Sequence, residues 1–152
     1  MTPLMVEQII LLRHPSLDPE LADVSKGYVK FITPSKSLNM IGSGSYIGYN
    51  NIDLHGIEAF SVKLMGNMRG SSAGSTIEIR LDSPDGTVIG KTDFINPTQR
   101  GQNAAKIDIA ATEGMHTVYF VFVNDKAPTT QTLLQLINIE VLSKQVNPVA
   151  LK

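Results

Sequence analysis

The sequence contains no cysteine, so it forms neither a disulfide framework nor a thiolate metal site, and cysteine usage says nothing about redox compartment. Charge is scarce too. Charged residues are 18% of the 152 and the formal net charge is -1, which leaves no basic stripe to track phosphates and argues against nucleic acid as a partner. No apolar run approaches the ~20 residues of a membrane span. The run Ile9, Ile10, Leu11, Leu12 is too short for a signal peptide. It follows Glu7 and not a basic region, and Arg13, His14 and Pro15 close it without a small-residue cleavage site. It reads as the first strand. An export signal, if the natural protein uses one, is expected outside this sequence, in a longer parent. Long segments of helical period are missing as well, so the fold is expected to rest on paired strands.

What the chain does have is alternation. In TIEIRLDSPDGTVIG, Thr76 to Gly90, the residues Ile77, Ile79 and Leu81 interleave with Glu78, Arg80 and Asp82, the period of a strand with one dry and one wet face. Ser83, Pro84, Asp85 and Gly86 then make a turn: Pro84 presets its own φ, Asp85 tolerates unusual backbone angles, and Gly86 is expected to take positive φ. Thr87, Val88 and Ile89 return antiparallel, which predicts a hairpin. GMHTVYFVFV, Gly114 to Val123, is β-branched and aromatic and predicts a strand covered on both faces.

Further strands are expected at Tyr28 to Ile32, Tyr46 to Leu54 with a bulge at Asn50 and Asn51, Phe60 to Met65, Lys106 to Ile109, and Leu133 to Leu142. His14 to Lys26 reads as a loop with one helical turn after Asp18. Ser35 to Ser45, Gly66 to Ser75, Asp93 to Asn103 and Asn124 to Thr132 read as small or polar loops. About nine short strands without a long helix predict an all-β, two-sheet sandwich. At 152 residues and 42% hydrophobic the chain suits one domain with a real core. Residues 1–142 are expected to be a single module and residues 143–152 a tail or linker remnant.

Three blocks in order, GSYIGYNNIDLHGIEAFSVKL, TIEIRLDSPDGTVIG, and GMHTVYFVFVN followed by a final apolar strand, resemble the hallmark blocks of the family 6 carbohydrate-binding modules. The resemblance runs from about Leu12 to Leu142. It implies a jelly-roll β-sandwich of galactose-binding-domain type, without catalysis of its own, serving as an accessory domain to an enzyme that acts on polysaccharide. The opening LRHPSLDPELADVSKG resembles C-terminal modules fused to sugar-dehydrogenase-like and cytochrome-like domains, or to ThuA-like domains. The implied partners are a polysaccharide or oligosaccharide and the catalytic domain of a larger parent chain. The implied setting is extracytoplasmic, either periplasmic or secreted.

In such modules one sugar site lies in the loops at the sandwich edge. A tyrosine and a tryptophan there hold a pyranose between them, and an asparagine hydrogen-bonds its hydroxyls. Aromatic planes suit the apolar face of a sugar, and amides suit its hydroxyls. In this chain the tyrosine position falls on Met40, the tryptophan position near Gly101, the second aromatic position on Ala104 and the asparagine position on Gln135, and tryptophan is absent altogether. Each missing plate forfeits about 0.5–1.5 kcal/mol beyond buried area. The amides of Asn103 and Asn124, in two neighbouring loops, join Met40 and Gln135 as edge-site candidates.

The family's second site lies on a concave sheet face, where its aromatic aligns with Tyr46. Tyr49 faces the opposite side unless a bulge intervenes, so one tyrosine is expected in the core and the other outside. Tyr46, with Glu78 or Arg80 from the hairpin, would form a shallow polar groove for a chain-internal sugar. The family also tends to hold a structural calcium, and the resemblance assigns it to the hard oxygens of Asp18, Glu20 and Glu140. The family's acid in the last strand aligns with Ile137, which cannot be a ligand.

Other chemistry finds little support. His14, His55 and His116 are far apart and form no metal-ligand spacing with one another; His55 and His116 read as hydrogen-bonded surface residues. Nothing marks Asp82, Asp85, Asp93, Asp108 or Glu113 as a paired acid for glycosidic cleavage. Gly42, Ser43 and Gly44 lack the Lys-Ser/Thr pair of a phosphate loop and the strand-to-helix context of a nucleophile elbow. The leading expectation is a non-catalytic carbohydrate-binding module that holds an attached enzyme near glycan. The alternative is a degenerate β-sandwich that packs on neighbouring domains or on itself. That alternative expects the region of Met40, Gly101 and Ala104 to be covered or to expose a large apolar patch.

Overall fold

The computed structural model describes residues 16–19, 22–31, 37–65, 73–95, 102–127 and 132–143. Eleven strands occur among them: β1 (Ser16–Leu17), β2 (Val24–Lys26), β3 (Tyr28–Phe31), β4 (Ser37–Ile41), β5 (Ser45–Asp53), β6 (Ile57–Met65), β7 (Thr76–Leu81), β8 (Val88–Lys91), β9 (Gln102–Asp108), β10 (Met115–Val123) and β11 (Thr132–Ser143). They form two antiparallel sheets. One has the order β3-β4-β11-β6-β9, with β1 also paired to β11, and the other has the order β2-β5-β10-β7-β8. The long β11 gives one whole edge to β6 and divides the other between β4 and β1.

Alternation builds the core. In β7, Ile77 and Ile79 are buried while Glu78 and Arg80 stay partly exposed; in β10, Val118, Phe120 and Phe122 are buried. Phe120 meets two rings edge-on, Tyr49 at 6.3 Å and Phe60 at 5.1 Å. Phe60 belongs to the other sheet, so this contact joins the two layers, and each such pair contributes about 0.5–1.5 kcal/mol beyond its buried area. The outer face of β10 is less covered than its composition predicts. Val121 is enclosed, but Tyr119 and Val123 are only half-buried and Met115 is 59% exposed.

The hairpin of β7 and β8 forms as its alternation predicts, but its turn works differently. Asp82 carries the positive φ, at 65°, and Gly86 does not. Gly86 is needed for space, because a Cβ there would fall 1.9 Å from the Leu81 carbonyl oxygen. The bulge at Asn50 and Asn51 is present: together they oppose Thr117, and Asn51 has a φ of 56°. It follows Tyr49, so alternation between Tyr46 and Tyr49 is unbroken. Tyr49 joins the core cluster, and Tyr46 points outward.

Three stretches that read as loops contain strands. β1 and β2 lie within His14 to Lys26, β4 lies within Ser35 to Ser45, and β9 takes Gln102 and Asn103 from the loop that starts at Asp93. These segments alternate poorly by themselves and are recruited by partners: Met40 pairs with Leu134 in register, and Leu17 with Ile139. The expected strand at Ile9 to Leu12 lies outside the described residues. So does the expected tail from residue 144 onward, while Ser143 itself ends β11. No helix among the described residues is long and apolar enough to cross a membrane.

Candidate functional site

Two of the edge-loop candidates, Met40 and Gln135, do not come together. Met40 is 0% exposed and packs in the core, so it offers no surface to a sugar. It pairs in register with Leu134, whereas Gln135 pairs with Asn39 and Met65. Successive positions on a strand face opposite sides, so Met40 and Gln135 cannot converge on one ligand. Gln135 is itself 5% exposed. Asn103 stands beside Leu64 on β9 and Ala104 is exposed next to it, while Gly101 lies outside the described residues. The exposed large apolar side chains among the described residues are Val88, Phe94 and Met115; none of them sits at Met40 or Ala104.

The open face of the five-stranded sheet does gather functional groups. Two rows cross it in register: Lys26, Tyr46, Val121, Glu78 and Lys91 form one, and Val24, Gly48, Tyr119, Arg80 and Val88 form the next. Tyr46 and Tyr119 meet edge-on with ring centroids 5.4 Å apart. The ring of Tyr119 lies against Gly48, where a Cβ would come within 3.0 Å of its Cδ2 and 2.7 Å of Val24 Cγ2. Glycine is therefore required at this position for close approach and not for backbone angle. Beside the rings, Arg80 Nε donates to Glu78 Oε1 at 2.9 Å, Nη2 donates to the same oxygen, and Nη1 donates to the Gly86 carbonyl at 3.1 Å. Lys91 Nζ stands 3.9 Å from Glu78 Oε2. The result is a braced ion pair next to two partly exposed rings.

A depression of about 790 Å³ continues this face where β10 ends. Thr76 and Val123, partners in register, line it together with Glu78 and Lys91. Phe94, 54% exposed, and the loop from Asn124 to Ala127 complete its wall. Asn124 holds that loop in place. Its Nδ2 donates to the Gly74 carbonyl at 2.9 Å, its Oδ1 accepts the Lys126 N–H at 3.1 Å, and its own N–H donates to Ser43 Oγ at 2.9 Å. Tyr119 and Val123 are four positions apart on β10, or ~14 Å at ~3.4 Å per residue. The tyrosines and the depression are therefore successive parts of one surface.

The sequence model described as carbohydrate binding module (family 6) matches residues 23–143. The chain belongs to the family 6 carbohydrate-binding modules. Solved structures agree with its two-sheet fold. A family 6 module from Clostridium cellulolyticum, in complex with xylose, is 26% identical with a TM-score of 0.70, over 84% of this module and 95% of that chain. A β-1,3-glucan-binding module from Bacillus halodurans is 17% identical with a TM-score of 0.69, over 86% and 97%. A glycoside hydrolase family 43 arabinoxylan arabinofuranohydrolase from Bacillus subtilis is 20% identical with a TM-score of 0.70, over 86% of this module and 27% of that chain. No curated protein sequence matches the module. The family is one of non-catalytic binding modules.

Of the three calcium ligands implied by the family resemblance, Asp18 and Glu140 are among the described residues. Glu140 is exposed on β11 opposite Ser16 and Ser61, and Glu20 lies outside the described residues. The carbonyl oxygen of Asp18 accepts the Tyr49 hydroxyl at 2.8 Å. Burial, followed by the charges of Asp18 and Asp23, pushes the Tyr49 phenol well above the ordinary tyrosine range. Among the described residues no three acids or histidines gather into a set able to hold a metal. At the far end of the sandwich the histidines do bind surface partners. His55 Nδ1 is 2.5 Å from Glu113 Oε2, and His116 Nδ1 is 3.0 Å from Asp82 Oδ2.

Of the sequence candidates, the module brings together Tyr46, Glu78, Arg80 and, at the depression, Asn124. Sequence reasoning missed Tyr119, Lys91, Phe94 and Lys126. For Tyr119 a signal existed: it sits between the buried Val118 and Phe120, so period-two reading turns it outward. Placing it beside Tyr46 required knowing that β5 pairs with β10.

Proposed function

We propose that this module binds glycan on the open face of its five-stranded sheet and so holds an attached catalytic domain close to polysaccharide. The observation that carries this reading is the pair Tyr46 and Tyr119, 5.4 Å apart, beside the bonded Glu78 and Arg80 on the same face. The rings offer the flat apolar surface that matches the axial hydrogens of a pyranose, and the charged heads offer donors and acceptors to its hydroxyls. The similar Clostridium cellulolyticum module was solved with xylose, which supports a sugar ligand here.

The module itself contributes proximity and no catalysis. Tethering raises effective substrate concentration to roughly millimolar for short flexible linkers. The arabinofuranohydrolase, of which the matching part is 27%, supports such an arrangement. The opening LRHPSLDPELADVSKG favours a parent of sugar-dehydrogenase-like, cytochrome-like or ThuA-like type, working outside the cytoplasm where polysaccharide is met.

Isothermal titration calorimetry against soluble xylo-, gluco- and β-1,3-gluco-oligosaccharides tests the proposal. The wild type is expected to bind at least one, Tyr119→Ala to weaken it about two- to tenfold, and Ala104→Asp at the edge loops to leave it unchanged. Absence of binding to every sugar at millimolar ligand refutes the reading. Loss of binding in Ala104→Asp with retention in Tyr119→Ala moves the site to the edge.

A further inference from the structure

We infer that the depression beyond the tyrosines takes an anionic sugar residue, a pyranose carrying a carboxylate or a sulfate; this rests on the sheet-face reading above. Two ammonium groups reach it from opposite sides of β7. Lys91 comes from β8, and Lys126 comes from the loop that follows β10. Lys91 is only loosely paired, and Lys126 has no ion pair among the described residues. Glu78 Oε1 already accepts two N–H groups of Arg80, and its Oε2 is 3.9 Å from Lys91, at the outer limit of an ion pair. Lys126 meets no carboxylate among the described residues; Asp125, the other acid of the wall, accepts the Ser43 hydroxyl at 3.3 Å.

Arg80, Lys91 and Lys126 stand against Glu78 and Asp125 at this wall, which leaves one positive charge in excess. A neutral sugar would leave that exposed charge to water alone. An anionic substituent would satisfy it by charge-assisted hydrogen bonds. Phe94, 54% exposed, adds an apolar ring at the rim on which the pyranose can lie. The volume, about 790 Å³, falls within the ~300–1,000 Å³ of small-molecule sites. A chain seated on the tyrosines would thus present its next residues to the two lysines.

The test is calorimetry of the 152-residue protein with a matched set: a neutral gluco-oligosaccharide, its C6-carboxylated form and its C6-sulfated form. At least one anionic form is expected to bind about fivefold tighter than the neutral one, and which of the two does so identifies the substituent. The advantage is expected to shrink between about 0.01 M and about 1 M salt, as the Debye length falls from about 30 Å to about 3 Å. The double variant Lys91→Gln/Lys126→Gln is expected to bring the anionic-to-neutral ratio to about one. Equal affinity for neutral and anionic forms in the wild type overturns this inference and leaves sheet-face binding standing. A preference that survives the double variant also overturns it. Failure of all three sugars to bind overturns this inference, and sheet-face binding falls with it only if the xylo- and β-1,3-gluco-oligosaccharides fail to bind as well.

Discussion

Replacing Gly48 by alanine should damage the site without removing any group that could contact a sugar. The φ of Gly48 is not positive, so the backbone accepts alanine, and the cost is steric. A methyl group would lie 2.7 Å from Val24 Cγ2 and 3.0 Å from Tyr119 Cδ2. Reaching ordinary contact means moving the ring by about 0.4 Å and the valine methyl by about 0.7 Å. Overpacking of this kind costs about 1–3 kcal/mol, and the stiffer unfolded chain returns about 0.5–1 kcal/mol. Gly48→Ala should therefore destabilise by up to about 2.5 kcal/mol in urea denaturation.

Raising the Tyr119 ring also disturbs its edge-on contact with Tyr46, so glycan affinity should fall with stability. A double-mutant cycle isolates the cause. In a Tyr119→Ala background the ring contacts are gone and only Val24 has to yield, so the cost of Gly48→Ala should drop by about 1 kcal/mol. If the two substitutions add within about 0.5 kcal/mol, the ring does not rest on Gly48 and the argument fails.

Three other outcomes follow from the structure. The hydrogen bond to Asp82 raises the pKa of His116 and lowers that of Asp82, and the bond to Glu113 raises that of His55. The histidine contributions are full below the ordinary 6.5 and are lost as pH climbs through the raised values; the Asp82 contribution is present above 3.8 and is lost as pH falls. Urea midpoints should therefore be highest between about pH 4 and about pH 6.5 and decline gently toward about pH 8.5, a slope that His55→Gln/His116→Gln flattens; a wild-type midpoint that rises over this range contradicts the pairing. Asn124→Ala removes the bonds to Gly74 and Lys126 and should cost about 1–2 kcal/mol, checked by chemical denaturation; an unchanged midpoint would mean that the loop does not depend on this amide. Tyr49→Phe removes the donor to the Asp18 carbonyl and should cost about 0.5–1.5 kcal/mol while calorimetry finds sugar affinity intact; weakened binding would show that Tyr49 is not purely a core residue.

Much of the architecture could be read from local pattern. The interleaving of Ile77 and Ile79 with Glu78 and Arg80 specified which side of β7 is dry, and the Asn50–Asn51 step marked the bulge before any partner strand was known. The parity of Tyr46 and Tyr49 likewise assigned one ring to the interior and one to the outside. Side-chain period is a property of consecutive residues, so it survives without tertiary information.

Pairing and burial are long-range. β4 has no convincing alternation of its own and exists because β11 lies beside it; the same register encloses Met40 and turns Gln135 to the opposite side, so these two cannot share a ligand. Tyr119 meets Tyr46 only because β10 pairs with β5, and Lys91 and Lys126 line one depression only because β7 joins β8 to β10. A one-residue change of register would reverse every one of these placements, and that choice is made by the packed sandwich as a whole.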